Sequence, residues 1–222
     1  MNKAYPSSAE RRSFLTLLHA GGAAIVALAA GRVARAQDKP AAPAPFQHAL
    51  HAQDDWMDQI PGKHRMVIDT TSPDALKDGL QYANNFLTAN RNSYGLQSQD
   101  LAIIVVARHL ASGYGFNNDM WAKYGASLNG VTPAADAPAK EAPKTNPDTT
   151  VLAGLSAQGV QFAICGLSAR RIAGMIARGT GGNVDTVLAE LSANLVKNAR
   201  LVPAGIVALS RAQERGYTVA RA

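Results

Sequence analysis

A chain of 222 residues with a single cysteine, Cys165, cannot form an intramolecular disulfide, so its stability has to come from a buried core. Other signatures are missing as well. There is no Cys-x-x-Cys and no His-Glu-x-x-His, and five histidines without them make a dedicated zinc site a weak proposal. The sequence lacks Gly-x-x-x-x-Gly-Lys, Gly-x-Gly-x-x-Gly after a strand, and a Gly-x-Ser-x-Gly elbow, so nucleotide binding and serine hydrolysis are without their motifs. No basic patch interleaved with aromatics follows the N-terminal region, which argues against a nucleic-acid partner.

The N-terminus reads SSAERRSFLTLLHAGGAAIVALAAGRVARAQ. Arg11 and Arg12 precede Ser13-Phe14-Leu15, an apolar stretch from Leu17 to Ala30 follows, and Ala34-Arg35-Ala36 places small residues where a signal peptidase reads them. The stretch is too short to span a bilayer comfortably. This pattern resembles a twin-arginine signal for folded cargo, so we expect export to the periplasm, cleavage after Ala36 and no stable membrane insertion. An uncleaved anchor is the alternative, and Gly21, Gly22 and Gly31 dilute its apolar run. Residues 1–36 also hold five of the 22 basic side chains (Lys3, Arg11, Arg12, Arg32, Arg35) and one of the 16 acids (Glu10). Their removal leaves 17 basic against 15 acidic groups and lowers the net charge from +6 to +2, so the pI near 9.6 is mostly targeting signal. The remaining 186 of 222 residues fit one domain, able to bury roughly 70% of its unfolded surface.

Residues 37–61 are rich in Ala, Pro, Gln and His and read as a flexible leader. His48 and His51, three apart, would offer a metal two ligands only if helical. From residue 62 to 222 strand and helix patterns alternate: strands over 64–70, 99–109, 160–165, 199–205 and 217–221, helices after Thr71, over 117–125 and 149–159, from Ser168, from Val184, and over 206–216. Residues 130–148 read as a long surface loop. The central strands are apolar without alternation, as strands buried on both faces are. The expected class is α/β, three-layer, with a mostly parallel sheet and helices on both faces.

In such sheets ligands bind outside the carboxyl ends of the strands. The expected strand ends are Asp69, His109, Cys165 and the turn Pro203-Ala204-Gly205. In VQFAICGLSARR, residues 160–171, the cysteine precedes Gly166 and a helix that Ser168 would cap, with Arg170 and Arg171 in its first turn. Helix N-termini and nearby cations favour a thiolate, the nucleophilic form, though a small buried hydrophobe would suit the same place. His109 has three roles open to it: a general acid or base, a ligand for a metal or haem, or a strand-end cap. The group Asn117, Asn118, Asp119, Trp121, Lys123 and Tyr124 follows the second strand and would either wall a pocket or anchor the core. The candidate site is therefore Cys165 and His109 as chemical groups, with Arg170, Arg171, Asp69, Asn118 and Trp121 as contacts.

The strand into VQFAICGLSARR, the ending LVPAGIVALSRAQERGYTVARA and the segment ARHLASGYGFNNDMWAKYG (107–125) resemble the DsrE/DsrF-like family of sulfur-relay proteins, in its exported, twin-arginine-signalled subgroup. The resemblance covers roughly residues 62–222. It implies a flavodoxin-like three-layer topology, assembly into trimers or hexamers, and a strand-end cysteine, here Cys165, that carries sulfur as a persulfide to a partner protein. It implies no cofactor; haem held by His109 and its neighbouring aromatics is the alternative reading.

Overall fold

A computed structural model of the chain describes residues 47–129 and 142–222. The expected signal, the first part of the expected leader (residues 37–46) and most of the loop expected over 130–148 lie outside them. The described chain alternates strand and helix. The first pair is β1 (His64–Thr70) and α1 (Pro73–Tyr94); β2 (Leu101–Ala107) leads to α2 (Asn118–Leu128) and α3 (Thr149–Ala157). Then come β3 (Gln161–Cys165), α4 (Gly166–Thr180) and α5 (Val184–Ala193), followed by β4 (Ala199–Val202), α6 (Gly205–Glu214) and β5 (Thr218–Arg221). Short 3₁₀ stretches occupy Ala52–Met57, Ser98–Asp100 and His109–Gly115.

Local chemistry sets these boundaries. Ser72 accepts the Ala75 N–H at 3.1 Å and Pro73 pre-sets the first turn of α1, while Gly95, with φ of 68°, closes it in the left-handed region. Asn117 caps α2 in the same way, accepting from the Met120 N–H.

All five strands are parallel, in the order β4-β3-β2-β1-β5. The expected α/β class, with helices on both faces, is what the structure has. Each connection from β1 to β4 steps to the adjacent strand, and β4–α6–β5 then returns across the sheet to its far edge. The order differs from the 2-1-3-4-5 of flavodoxin but shares a reversal of direction, which opens a crevice at the carboxyl edge.

The run LAIIVVA of β2 is buried at every position because the sheet is covered on both sides. Ile103, Val105 and Ala107 join the core formed with α1 to α5, and Ala102, Ile104 and Val106 join a second core with α6. This second core departs from the expected leader. Trp56, Met57 and Ile60 are 8%, 0% and 7% exposed and pack with Val67, Ile104 and Leu209, so the end of the segment expected to be flexible is a structural strap. One ten-residue helix cannot cover a five-stranded face, and the strap fills the remainder. Arg215, its side chain 1% exposed, ties the strap down through Asp55 and Asp58, and Tyr217 Oη donates to the Met57 carbonyl at 2.6 Å.

Candidate functional site

The pleat determines which side chains gather at the carboxyl edge. Val67, Val106 and Ala163 all face the α6 side, so the residues two further on, Asp69, Arg108 and Cys165, continue on that side. The register sets them in a row: Asp69 pairs with Val106, and Ala107 with Ile164, which brings Arg108 next to Cys165. The α6 N-terminus arrives on the same side, because β4 sends its connection to the face opposite that used by α1 to α5. The crevice therefore opens between β3, whose chain leaves toward one face, and β4, whose chain leaves toward the other.

Cys165 is the N-cap of α4, which begins at Gly166 instead of at the expected Ser168. The close approach of β4 explains the glycine: a Cβ on Gly166 would lie 2.7 Å from the Val202 carbonyl oxygen. The cysteine is 7% exposed. Burial, the largest single influence, pushes its thiol up, but hydrogen bonds from Ser168 Oγ and the main-chain N–H groups of Gly205, Ser168 and Leu167 together outweigh it and leave the pKa below the ordinary thiol value. Two helix N-termini, those of α4 and α6, thus converge on one sulfur.

Arg108 is fixed beside it. Its Nε and Nη2 donate to the two Asp69 oxygens at 2.7 and 2.8 Å, a bidentate pair with side chains 16% and 8% exposed. Those bonds raise the Arg108 pKa above its ordinary value against the opposing effect of burial, and the charges of Asp69 and Cys165 add to the rise. Nη1 lies 2.7 Å from His109 Nε2, and since a guanidinium has no acceptor the imidazole accepts there, which places its ring proton on Nδ1.

His109 lies two residues beyond the end of β2, with φ of 53°, a left-handed conformation uncommon outside glycine. Its main-chain N–H donates to Ser168 Oγ at 3.0 Å, and Ser168 in turn serves the cysteine sulfur. The main chain of His109, through Ser168, is what reaches toward the thiol; its ring is held by Arg108.

Arg108, His109, Cys165, Leu167, Ser168, Arg171, Ala204, Gly205 and Ile206 line an open cavity of about 260 Å³. The structure thus brings Cys165, His109 and Arg171 together. Asp69 stands behind them, holding Arg108 and not lining the cavity. The other three expected contacts lie elsewhere. Arg170 points to Asp185 at 2.9 Å, both exposed. Asn118 accepts from the Asn146 N–H and the Thr149 hydroxyl beside a different cavity. Trp121 is fully buried, donating to the Gly113 carbonyl at 3.2 Å with Tyr114 edge-on at 5.2 Å. The cause is the 3₁₀ stretch after β2, which carries the chain away from the carboxyl edge before α2 starts. Trp121 and Tyr124 line a cavity of about 380 Å³ that His109 does not reach, so the residues invoked for haem are not assembled around one space. His48 and His51 are exposed and not helical, and among the described residues no group of three or more His, Cys, Asp or Glu is placed to hold a metal.

Arg108, Ser168 and Gly205 join the site beyond the expected candidates, Ser168 being expected only as a helix cap and Gly205 only within a strand-end turn. Strand parity carries a signal for the first: Asp69, Arg108 and Cys165 each follow by two a residue of the same sheet face. For Gly205 the sequence signal is its place in a strand-end turn, while its contact with Arg108 depends on strand order. A Cβ there would meet Arg108 Cβ at 2.8 Å.

No family model and no curated protein matches the chain. Among solved structures it is similar to a protein of unknown function from Methanobacterium thermoautotrophicum, at 17% identity and a TM-score of 0.40, over 72% of this chain and 100% of that one. Among the described residues no helix is long and apolar enough to cross a membrane.

Proposed function

We propose that the protein is a sulfur carrier in which the Cys165 thiolate takes sulfane sulfur from a donor and holds it as a persulfide. The supporting observation is the placement of one sulfur at the meeting of two helix N-termini, beside an open cavity, with Ser168 and the neighbouring main-chain N–H groups lowering its pKa. Such an environment favours an anionic sulfur, and a persulfide is itself an anion at neutral pH, so the same donors serve before and after loading. With thiosulfate the step balances simply. The thiolate attacks the outer sulfur, a sulfur–sulfur bond forms, and the bond to the sulfonate sulfur breaks with its electron pair leaving as sulfite.

In this reading Ser168 and the N–H of Gly205 hold the thiolate, Arg108 faces the departing anion, and Arg171 stands at the mouth. His109 orients Ser168 through its main chain, and proton transfer by its ring is a further part of the proposal. The resemblance to DsrE/DsrF-like proteins adds an exported, periplasmic setting, a trimeric or hexameric assembly and a protein that receives the sulfur.

The test is mass spectrometry of the full chain after incubation with thiosulfate or polysulfide, with Cys165→Ser as blank. Sulfur added at Cys165 is the expected result. Absence of any adduct in a sample whose Cys165 is still alkylated by iodoacetamide overturns the proposal.

A further inference from the structure

We propose that the donor accepted at Cys165 is an organic thiosulfonate, a monoanion bearing an apolar substituent, in preference to inorganic thiosulfate. The inference rests on the sulfur-carrier reading above and names its substrate class.

The cavity has two unlike walls. One is polar: the Arg108 guanidinium, immobilised by Asp69, the N–H groups gathered at the sulfur, and Arg171. The other is apolar. Leu167 and Ile206 line the same space while leaving 67% and 61% of their surface exposed. Each is the second residue of a helix, directly after the glycine that closes on the site, so the backbone geometry that holds the sulfur also sets an apolar side chain beside it. Among the described residues nine large apolar side chains are exposed, and Leu167 and Ile206 are the two of them that line this cavity. These two exposed side chains sit at the mouth of the cavity, where burial by a ligand is favourable.

Charge points the same way. Asp69 already balances Arg108, which leaves Arg171 as the uncompensated formal cation of the lining, next to a cysteine that reacts as an anion. A dianion such as thiosulfate is poorly matched to that balance and leaves Leu167 and Ile206 in water. A thiosulfonate brings one negative charge to the polar wall and covers the apolar one with its substituent.

The chemistry closes without a further reagent. The Cys165 thiolate attacks the terminal sulfur of R–SO₂–S⁻ and forms the persulfide bond, and the bond between that sulfur and the sulfonyl sulfur breaks, its electron pair leaving on the sulfinate R–SO₂⁻. The cysteine sulfur is oxidised to the persulfide level at the expense of the sulfonyl sulfur, which is reduced to sulfinate, and no proton moves.

The experiment loads the full chain with benzenethiosulfonate, methanethiosulfonate anion or thiosulfate, follows persulfide at Cys165 by mass spectrometry, and divides each rate by that of a small free thiol with the same donor. The expected result is a normalised preference for the aromatic donor on the order of tenfold, the scale of one modest apolar contact, with Ile206→Ser and Leu167→Ser each bringing the ratio down toward that of the free thiol. Loading by all three donors in the free thiol's own ratio overturns this inference and leaves the sulfur-carrier reading standing. Failure of all three donors where polysulfide loads Cys165 overturns this inference alone, and failure of polysulfide as well overturns both.

Discussion

At the scale of single residues the protein turns on what surrounds one sulfur. Burial alone would raise the Cys165 thiol, yet Ser168 Oγ and the main-chain N–H groups of Gly205, Ser168 and Leu167 bring its pKa below the ordinary thiol value. The rate of alkylation by iodoacetamide should rise with a midpoint below the ordinary thiol value. Ser168→Ala, which removes one donor and leaves the His109 N–H without its acceptor, should move that midpoint to higher pH. A superimposable profile would mean that the hydroxyl is not part of the stabilisation. The same shift has a signature in stability. A lowered thiol pKa in the folded state contributes stability that is fully present above the unfolded value of about 8.5 and is lost as pH falls through the folded value. The difference in urea midpoint between the wild type and Cys165→Ser should therefore grow in favour of the wild type as pH rises through that window, and stay constant below it.

At the scale of elements the site is made by loops that leave β3 and β4 toward opposite faces, and glycine is what lets them close. Gly205→Ala would set a Cβ 2.8 Å from Arg108 Cβ and 3.1 Å from Val106 Cγ1, both on a buried strand and its immediate exit. The expected cost is about 1–3 kcal/mol in urea unfolding, together with slower alkylation of Cys165, since the Gly205 N–H and Arg108 both move. Gly154→Ala is the contrasting case. That glycine lies within α3 with open space around its Cβ position, so the change should stabilise by about 0.5–1 kcal/mol and leave alkylation untouched. These elements also show where a sequence can and cannot be read. LAIIVVA announces a strand covered on both faces, and Ser72-Pro73 with Gly95 announces the limits of α1, because propensity and capping are local. Strand order is not local, so the meeting of Gly205 with Arg108 and Cys165 could not be read along the chain. Trp121 and Asn118 were misplaced for a related reason: position after a strand does not mean position over its carboxyl end when a 3₁₀ stretch intervenes.

At the scale of the whole molecule the sheet needs two covers, and the second is built from α6 and a strap that composition alone assigns to a flexible leader. The strap residues Trp56, Met57 and Ile60 look isolated among polar neighbours, but they complete a face that would otherwise leave Val67, Ile104 and Val202 only partly covered. Burying three large apolar side chains is worth roughly 5–9 kcal/mol at about 1.5–3 kcal/mol each, which is comparable to the total stability of a typical domain, about 5–15 kcal/mol. Arg215 adds to the cost of losing them, because its buried guanidinium finds its carboxylates, Asp55 and Asp58, on the strap. A chain beginning at Gln47 should therefore unfold cooperatively, whereas one beginning at Gly62 should bind a hydrophobic dye in buffer and show a broadened urea transition or none. Arg215→Leu in the longer chain separates the two contributions. If the apolar packing of the strap dominates, this variant keeps a cooperative transition with a midpoint near that of its parent. If the ion pairs dominate, it behaves like the truncated chain.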